Sequence, residues 1–290
     1  MNQQLNLFNN IDIQVLGPIV NVGSVPKRSP FRYPGGKTWL IPTVRKWLKQ
    51  NRHTPPLLIE PFAGGGIVSL TAAFENLATN ILMTELDPEI SAVWHTIFSN
   101  DNQWLANKIF NFDLTIEAAK AFFEQSEKQT RDIAFNTILK NRICHGGIIT
   151  KGSGFLKSGE NGKGITSRWY PKTLYHRITA IQQIAHKVSF VEDDAFKVLK
   201  EHCDNKDCYF FIDPPYRLAG KRLYTFSDID HEKLFEFTTQ LKGHFMLTYD
   251  DTEEIRGLAE RFGLSYTTIP MKTTHHLKKN EIIISDNFGW

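Results

Sequence analysis

Apolar residues gather along this chain in short runs, and between most of the runs they return at helical spacing. The runs fall at 57–59, 81–83, 188–191, 209–212, 245–248, 264–269 and 281–285. Runs this short, bounded by polar and turn residues, read as strands. Helical spacing holds from Trp39 to Trp47, where Pro42 is tolerable in the first turn. A second helix follows the turn at 61–66 and runs through Phe74, and Pro88 is well placed to open a third. Strands alternating with helices predict a parallel α/β sheet. The last two runs are joined by residues 271–280, which carry no helical pattern. They predict a hairpin, adding an antiparallel strand at the end of the sheet.

The middle of the chain breaks this alternation. Residues 101–143 read as helical throughout, with Ile116, Ala119, Phe122 and Phe123 on one face, and 170–186 reads as another helix. Between them, residues 146–164 hold seven glycines, which predicts a mobile loop too polar for a core. The organisation that follows is a tail over 1–25, a sheet domain over 26–100 and 187–290, and an inserted helical unit over 101–186.

With 290 residues, 41% hydrophobic and 12% aromatic, the chain can build a sizeable core and does not describe a disordered protein. No stretch of 18 apolar residues exists, so no membrane span is expected. The first 26 residues contain no Lys or Arg and no long apolar core, which argues against a secretory signal. Cys144, Cys203 and Cys208 cannot all pair and fit no common zinc spacing. They read as reduced thiols in a cytoplasmic protein, and no metal-ligand cluster is visible.

Charge changes the picture more. The net +3 hides an asymmetry: residues 140–187 carry nine Lys/Arg and one acid, Glu160. That stretch is +8 and the remainder −5. Positive charge concentrated on a mildly acidic body is a footprint of nucleic-acid binding, although a solvated basic loop has the same composition. Arg142, Lys151, Lys157, Lys163 and Arg168 are the candidate contacts.

The chemistry concentrates where predicted strands end. Asp213-Pro214-Pro215-Tyr216 follows the run at 209–212 and places a carboxylate, a stiff turn and an aromatic face there. Open α/β sheets bind ligands at that edge. The set suits gripping the exocyclic amine of a flat base: Asp213 and the Pro214 carbonyl accept N–H groups while Tyr216 stacks. Glu60-Pro61-Phe62-Ala63-Gly64-Gly65-Gly66 lies between a strand and a helix, where consecutive glycines let backbone amides approach a ligand. Glu85, 25 residues after Glu60, can bind both ribose hydroxyls of an adenosine-containing cofactor. Glu60 would repel a pyrophosphate and better suits a cationic ligand such as S-adenosylmethionine. Phe31-Arg32-Tyr33-Pro34-Gly35-Gly36-Lys37 lacks P-loop spacing, but its Gly-Gly turn and Lys37 can hold a carboxylate such as the methionine end of that cofactor. Asp194 can accept an adenine amino group, cap the helix beginning at Ala195, or do both. Tyr249 reads either as a second wall of the base pocket or as a core residue.

Tyr33-Pro34-Gly35-Gly36-Lys37, Glu60-Pro61-Phe62 with its glycines, and Asp213-Pro214-Pro215-Tyr216 occur in that order. The order resembles the alpha-group, Dam-like DNA adenine N6-methyltransferases, from about Pro30 to the C-terminus. The resemblance implies a class I, Rossmann-like methyltransferase sheet, S-adenosylmethionine as methyl donor and double-stranded DNA as substrate. It also implies a helical target-recognition insert between the cofactor and catalytic motifs. Tyr33 and Lys37 would contact the methionine end of the cofactor, and the turn Glu60, Phe62, Ala63, Gly64, Gly65 would wrap it. Glu85 would hold its ribose and Asp194 its adenine, while Asp213, Pro214 and Tyr216 would hold the target base. Three positions depart from the family pattern: Tyr33-Pro34 stands where the best-known members have Trp-Ala, and Glu85 stands where Asp is common. The insert matches those members weakly, so their target sequence is not carried over. A cognate restriction endonuclease, or a phage-infected cell as host, is compatible with the same motifs. The alternatives are transfer to the cytosine amine, or a catalytically silent DNA-binding protein of the same fold.

Overall fold

The computed structural model describes residues 23–290 apart from 24, 33–34, 51–52, 125–128, 148, 150–152, 160–161, 217–225, 227 and 273–277, and without side chains at 271–272 and 278–279. Its strands are β1 (Leu57–Glu60), β2 (Asn80–Glu85), β3 (Val188–Glu192), β4 (Cys208–Ile212), β5 (His244–Asp250), β6 (Tyr266–Lys272) and β7 (Lys278–Ser285). They form one sheet in the order β3-β2-β1-β4-β5-β7-β6. β1 to β5 are parallel, and β7 is antiparallel to both neighbours. The expected hairpin is present, with its second strand inserted between β5 and β6. Burial explains the order. Ile282, Ile283 and Ile284 of β7 are wholly buried, so both of their faces need cover, whereas β6 carries Pro270, which an edge strand tolerates.

The helices are α1 (Ile41–Leu48), α2 (Ile67–Phe74), α3 (Pro88–Ile97), α4 (Asn102–Asn111), α5 (Ile116–Phe123), α6 (Thr130–Ile143), α7 (Pro171–Ile181), α8 (Ala195–His202), α9 (His231–Gln240) and α10 (Glu253–Arg261). Those flanking the sheet cover both its faces, which is why β4 reads as an unbroken apolar run. Tyr209 and Phe211 pack with α1, α2 and α3, while Phe210 and Ile212 pack with α8, α9 and α10. Each fully buried phenylalanine contributes about 1.5–3 kcal/mol relative to exposure.

Helix starts follow local chemistry. Pro88 opens α3 behind the Asp87 cap, and Thr115, Asp194, Asp230 and Thr252 cap α5, α8, α9 and α10 with side-chain oxygens. Two predicted helices are partly 3-10: Lys37–Leu40 precedes α1, and Gln182–Lys187 follows α7. α4, α6 and α7 share one continuous core with the sheet helices, since Phe135, Ile138, Leu139 and Leu174 cluster with Val93 and Trp94. The glycine-rich loop is better anchored than its composition suggests. Leu156 N donates to Ile143 O at 2.8 Å, His145 N to Gly154 O at 3.0 Å and Gly164 N to Ser158 O at 2.8 Å. Ile149, Leu156 and Ile165 are buried, so the described part of this loop does contribute to a core.

Candidate active site

The sheet changes direction of growth between β1 and β4, which opens a crevice at the carboxyl ends of those strands. Glu60 ends β1, Glu85 ends β2, Asp213 follows β4 and Asp250 ends β5. β7 runs the other way, so the start of its isoleucine run lies at the same edge. Glu281 sits there, in register with Asp250.

Asp213 is the centre of a polar cluster. Its Oδ1 accepts from Lys37 Nζ at 2.8 Å and from Thr248 Oγ1 at 2.8 Å. Lys37 is 3% exposed, and its Nζ also donates to Gly35 O at 2.9 Å and lies 3.8 Å from Glu281 Oε2. Burial alone would lower the Lys37 ammonium; the carboxylates of Asp213 and Glu281 outweigh it and hold the group above the usual lysine value. Tyr216 donates its hydroxyl to Glu281 Oε2 at 3.0 Å, and burial, with Asp213 and Glu281 nearby, pushes its phenol well above the ordinary range. The ring of Tyr216 stacks on Tyr249 at 5.6 Å, and Tyr249 OH is 2.7 Å from His231 Nδ1. Tyr249 is wholly buried, so it braces Tyr216 from behind. Pro214, between Asp213 and Tyr216 in sequence, is buried.

The neighbouring cradle is built around the glycine turn. Gly64 and Gly66 have φ of 46° and 61°. A Cβ on Gly66 would stand 2.6 Å from Met83 Cε and 2.9 Å from Trp94, so only glycine lets the turn approach α3. Ala63 N donates to Thr84 O at 2.9 Å, and Ala63 and Gly65 are buried while Phe62 is half-buried against the opposite core. Glu85 closes the turn: its Oε2 accepts from Gly64 N at 2.9 Å, and its Oε1 from Leu86 N and Asp87 N at 2.9 and 3.0 Å. Glu60 Oε2 accepts from Ser69 N at 2.9 Å, capping the first turn of α2. Burial raises Glu60 to about 8 and Glu85 to about 7.

Several expectations need correction. The ammonium of Lys37, expected at the methionine carboxylate, is held by Gly35, Asp213 and Glu281 and belongs to the polar cluster around Asp213. Arg142 is 3% exposed, and its guanidinium donates to the Pro30 carbonyl. Burial, with Arg177 and Arg32 nearby, lowers it to about 9. It anchors the strap before Tyr33 and presents no surface to a nucleic acid. Its neighbour Asn141 accepts from Arg32 N at 2.8 Å and donates to Arg32 O at 3.1 Å. Asp194, by contrast, does cap α8 as expected, accepting from Phe196 N at 2.7 Å, and is otherwise exposed. Lys157 and Lys163 are exposed and Arg168 is half-buried, whereas Tyr33 and Lys151 lie outside the described residues. Thr248 and Glu281 join the cluster around Asp213 although the sequence motifs did not single them out, and His231, which lies in the region of family resemblance after the Asp213–Tyr216 turn, braces Tyr249.

This sheet, with its glycine turn and acidic strand ends, is a class I S-adenosylmethionine-dependent methyltransferase fold. Residues 33–269 match the D12 class N6 adenine-specific DNA methyltransferase family, and the chain belongs to it. The protein is therefore an adenine-specific DNA methyltransferase that uses S-adenosylmethionine as methyl donor. Similar solved structures include a Pyrococcus horikoshii protein described as a putative RNA methyltransferase (TM-score 0.38, 10% identity, 88% of this chain and 84% of that one). Another is the precorrin-6y C5,15-methyltransferase of Geobacter metallireducens (TM-score 0.38, 12% identity, 88% and 91%). Likeness at this level carries no argument about substrate. No curated protein sequence matches the chain.

The residues fit the cofactor. Glu60 is buried and Glu85 half-buried, both carboxyls are raised by desolvation, and neither pairs with a cation among the described residues. A ligand bringing a positive charge and hydroxyl donors complements both. Glu60 would face the cationic end, Glu85 has one lone pair left for ribose, and the glycines of the turn, which carry no side chains, would line the path between them.

Proposed function

We propose that Asp213, Pro214 and Tyr216 hold a flipped-out adenine in duplex DNA while Lys37 and Thr248 aim Asp213 at it. The observation that carries this reading is the one-sided binding of Asp213. Among the described residues both internal donors use Oδ1, which leaves Oδ2 to accept an N6–H. A base inside a duplex hides its amine, so it must leave the stack, at a cost of a few kcal/mol. Stacking on the ring of Tyr216 offsets part of that cost, and Tyr249 keeps the ring in place.

Bound S-adenosylmethionine supplies an electrophilic methyl group. The chain's own task is to make N6 a nucleophile. Hydrogen bonds from N6–H to Asp213 and to the Pro214 carbonyl localise a lone pair otherwise shared with the ring. They strengthen as positive charge develops on nitrogen, so they act on the transition state. Asp213 need not be a strong base, because the methylated amine is acidic and loses its proton to water afterwards.

The insert over 101–186 would read the target, with Lys157, Lys163 and Arg168 meeting phosphates. α6 supports this placement, since its end ties the basic loop through Ile143 and the strap before Lys37 through Asn141 and Arg142. In this reading the enzyme modifies specific sites in cytoplasmic DNA, alone or beside a cognate endonuclease. The test is transfer of labelled methyl to unmethylated genomic DNA, followed by digestion and mass resolution of the nucleosides. N6-methyladenosine is expected. A methylated cytosine amine, or cofactor binding without product, contradicts the reading.

A further inference from the structure

Lys37 poses an electrostatic problem. An ammonium 2.8 Å from Asp213 fixes the carboxylate but also neutralises it, at a place where positive charge must develop on the substrate. Glu281 resolves the conflict. Its Oε2 lies 3.8 Å from Lys37 Nζ and accepts the Tyr216 hydroxyl at 3.0 Å, and the residue is 5% exposed. We propose that Glu281 is a positioning residue for methyl transfer: it is the counter-charge to Lys37, leaving Asp213 with net negative character toward the base, and it anchors Tyr216 in its stacking position.

Lys37, Asp213 and Glu281 sum to one negative charge when all three are ionised and to zero when Glu281 is protonated. The groups facing Glu281 are Lys37 from the turn before α1, Asp213 and Tyr216 from the segment after β4, and Asp250 from β5. Burial raises Glu281 most; Lys37 opposes this and Asp213 adds to it, which places the group at about 7. Transfer therefore runs with Glu281 ionised and slows as pH falls through neutrality. The proposal rests on Asp213 as the acceptor of N6–H, and the two ideas fail differently. Transfer surviving in Asp213→Ala removes that foundation, whereas the tests below leave Asp213 in place.

The experiment is single-turnover transfer of labelled methyl to unmethylated genomic DNA from pH 6 to 9. DNA and S-adenosylmethionine are saturating, so that titration of Glu60 and Glu85 in the cofactor cradle does not enter. Glu281→Gln keeps an acceptor for Tyr216 and removes the charge. The expected fall in rate at pH 8.5 is on the order of 10- to 100-fold, the effect of one charge at a partly screened centre. Cofactor affinity is unchanged, and the acid limb near neutral pH is lost. In a Lys37→Met background the same substitution costs little, because there is no ammonium left to offset. A full rate in Glu281→Gln, or lost cofactor affinity with a normal pH profile, overturns the proposal. Should the variant not fold, the wild-type profile decides: a rate that is flat from pH 6 to 9 overturns it too.

Discussion

Replacing Lys37 by Met separates two accounts of the most conspicuous buried cation in the molecule. If Lys37 grips the carboxylate of the cofactor, the variant loses cofactor affinity and keeps its stability. The structure predicts the opposite order of effects. Lys37 is nearly inaccessible and touches Gly35 O, Asp213 Oδ1 and, at longer range, Glu281. Removing one partner of a buried ion pair costs about 3–5 kcal/mol, since the other charge is left without compensation. Asp213 is 21% exposed, so water recovers part of that loss and places the expected cost near 3 kcal/mol. For a chain of this size that corresponds to a fall in Tm of roughly 5–10 °C. Urea unfolding of the apo protein reads the stability, and calorimetric titration with S-adenosylmethionine reads the affinity. Unchanged stability together with an affinity lowered 100-fold or more would refute the assignment and return Lys37 to the methionine end.

Tyr216→Ala is expected to lose transfer by about 100-fold through lost stacking, with Tyr216→Phe retaining more because its ring survives; steady-state rates on genomic DNA compare them, and equal damage would point to the hydroxyl alone. Arg142→Ala should destabilise the fold by about 2–3 kcal/mol without altering the salt dependence of DNA affinity, because its guanidinium serves the Pro30 carbonyl. Lys157→Ala or Lys163→Ala should instead leave stability unchanged and reduce the slope of log affinity against log salt by about one each. The apo protein should lose stability as pH rises from about 5.5 to 8.5, since Glu60, Glu85 and Glu281 are raised to about 8, 7 and 7. A carboxyl raised in the folded state stabilises below its unfolded value and gives that up as pH climbs through the folded one. Cofactor, which compensates Glu60 and Glu85, should therefore raise Tm more at pH 8.5 than at 5.5, as thermal scans at both values would show.

The parallel strands were legible because burial on both faces leaves a plain signature, as at 209–212. The turn chemistry was equally plain: a Pro at the start of α3, glycines where the backbone must pass Met83 and Trp94, and an acid after each of three strands. Four things were not legible, each because a contact outside the local sequence decides it. Nothing near Lys37 says that its partners are 176 and 244 residues away. Nothing in the basic stretch distinguishes Arg142, which turns inward onto Pro30, from Lys163, which faces solvent. Glu281 looked like the start of an isoleucine strand. The hairpin itself held the clue, because an antiparallel strand brings its beginning, rather than its end, to the edge where β1, β2 and β4 end. The anchoring of the glycine-rich loop was hidden in the same way, by its hydrogen bonds to the end of α6.

The central claim is that Asp213 acts on the adenine amine rather than on the cofactor. Asp213→Ala tests it most directly, with transfer to genomic DNA and S-adenosylmethionine affinity measured on one preparation. The account predicts transfer lowered by at least about 1,000-fold with affinity within a few-fold of wild type. Transfer that persists, or affinity that falls in step with it, would contradict the account.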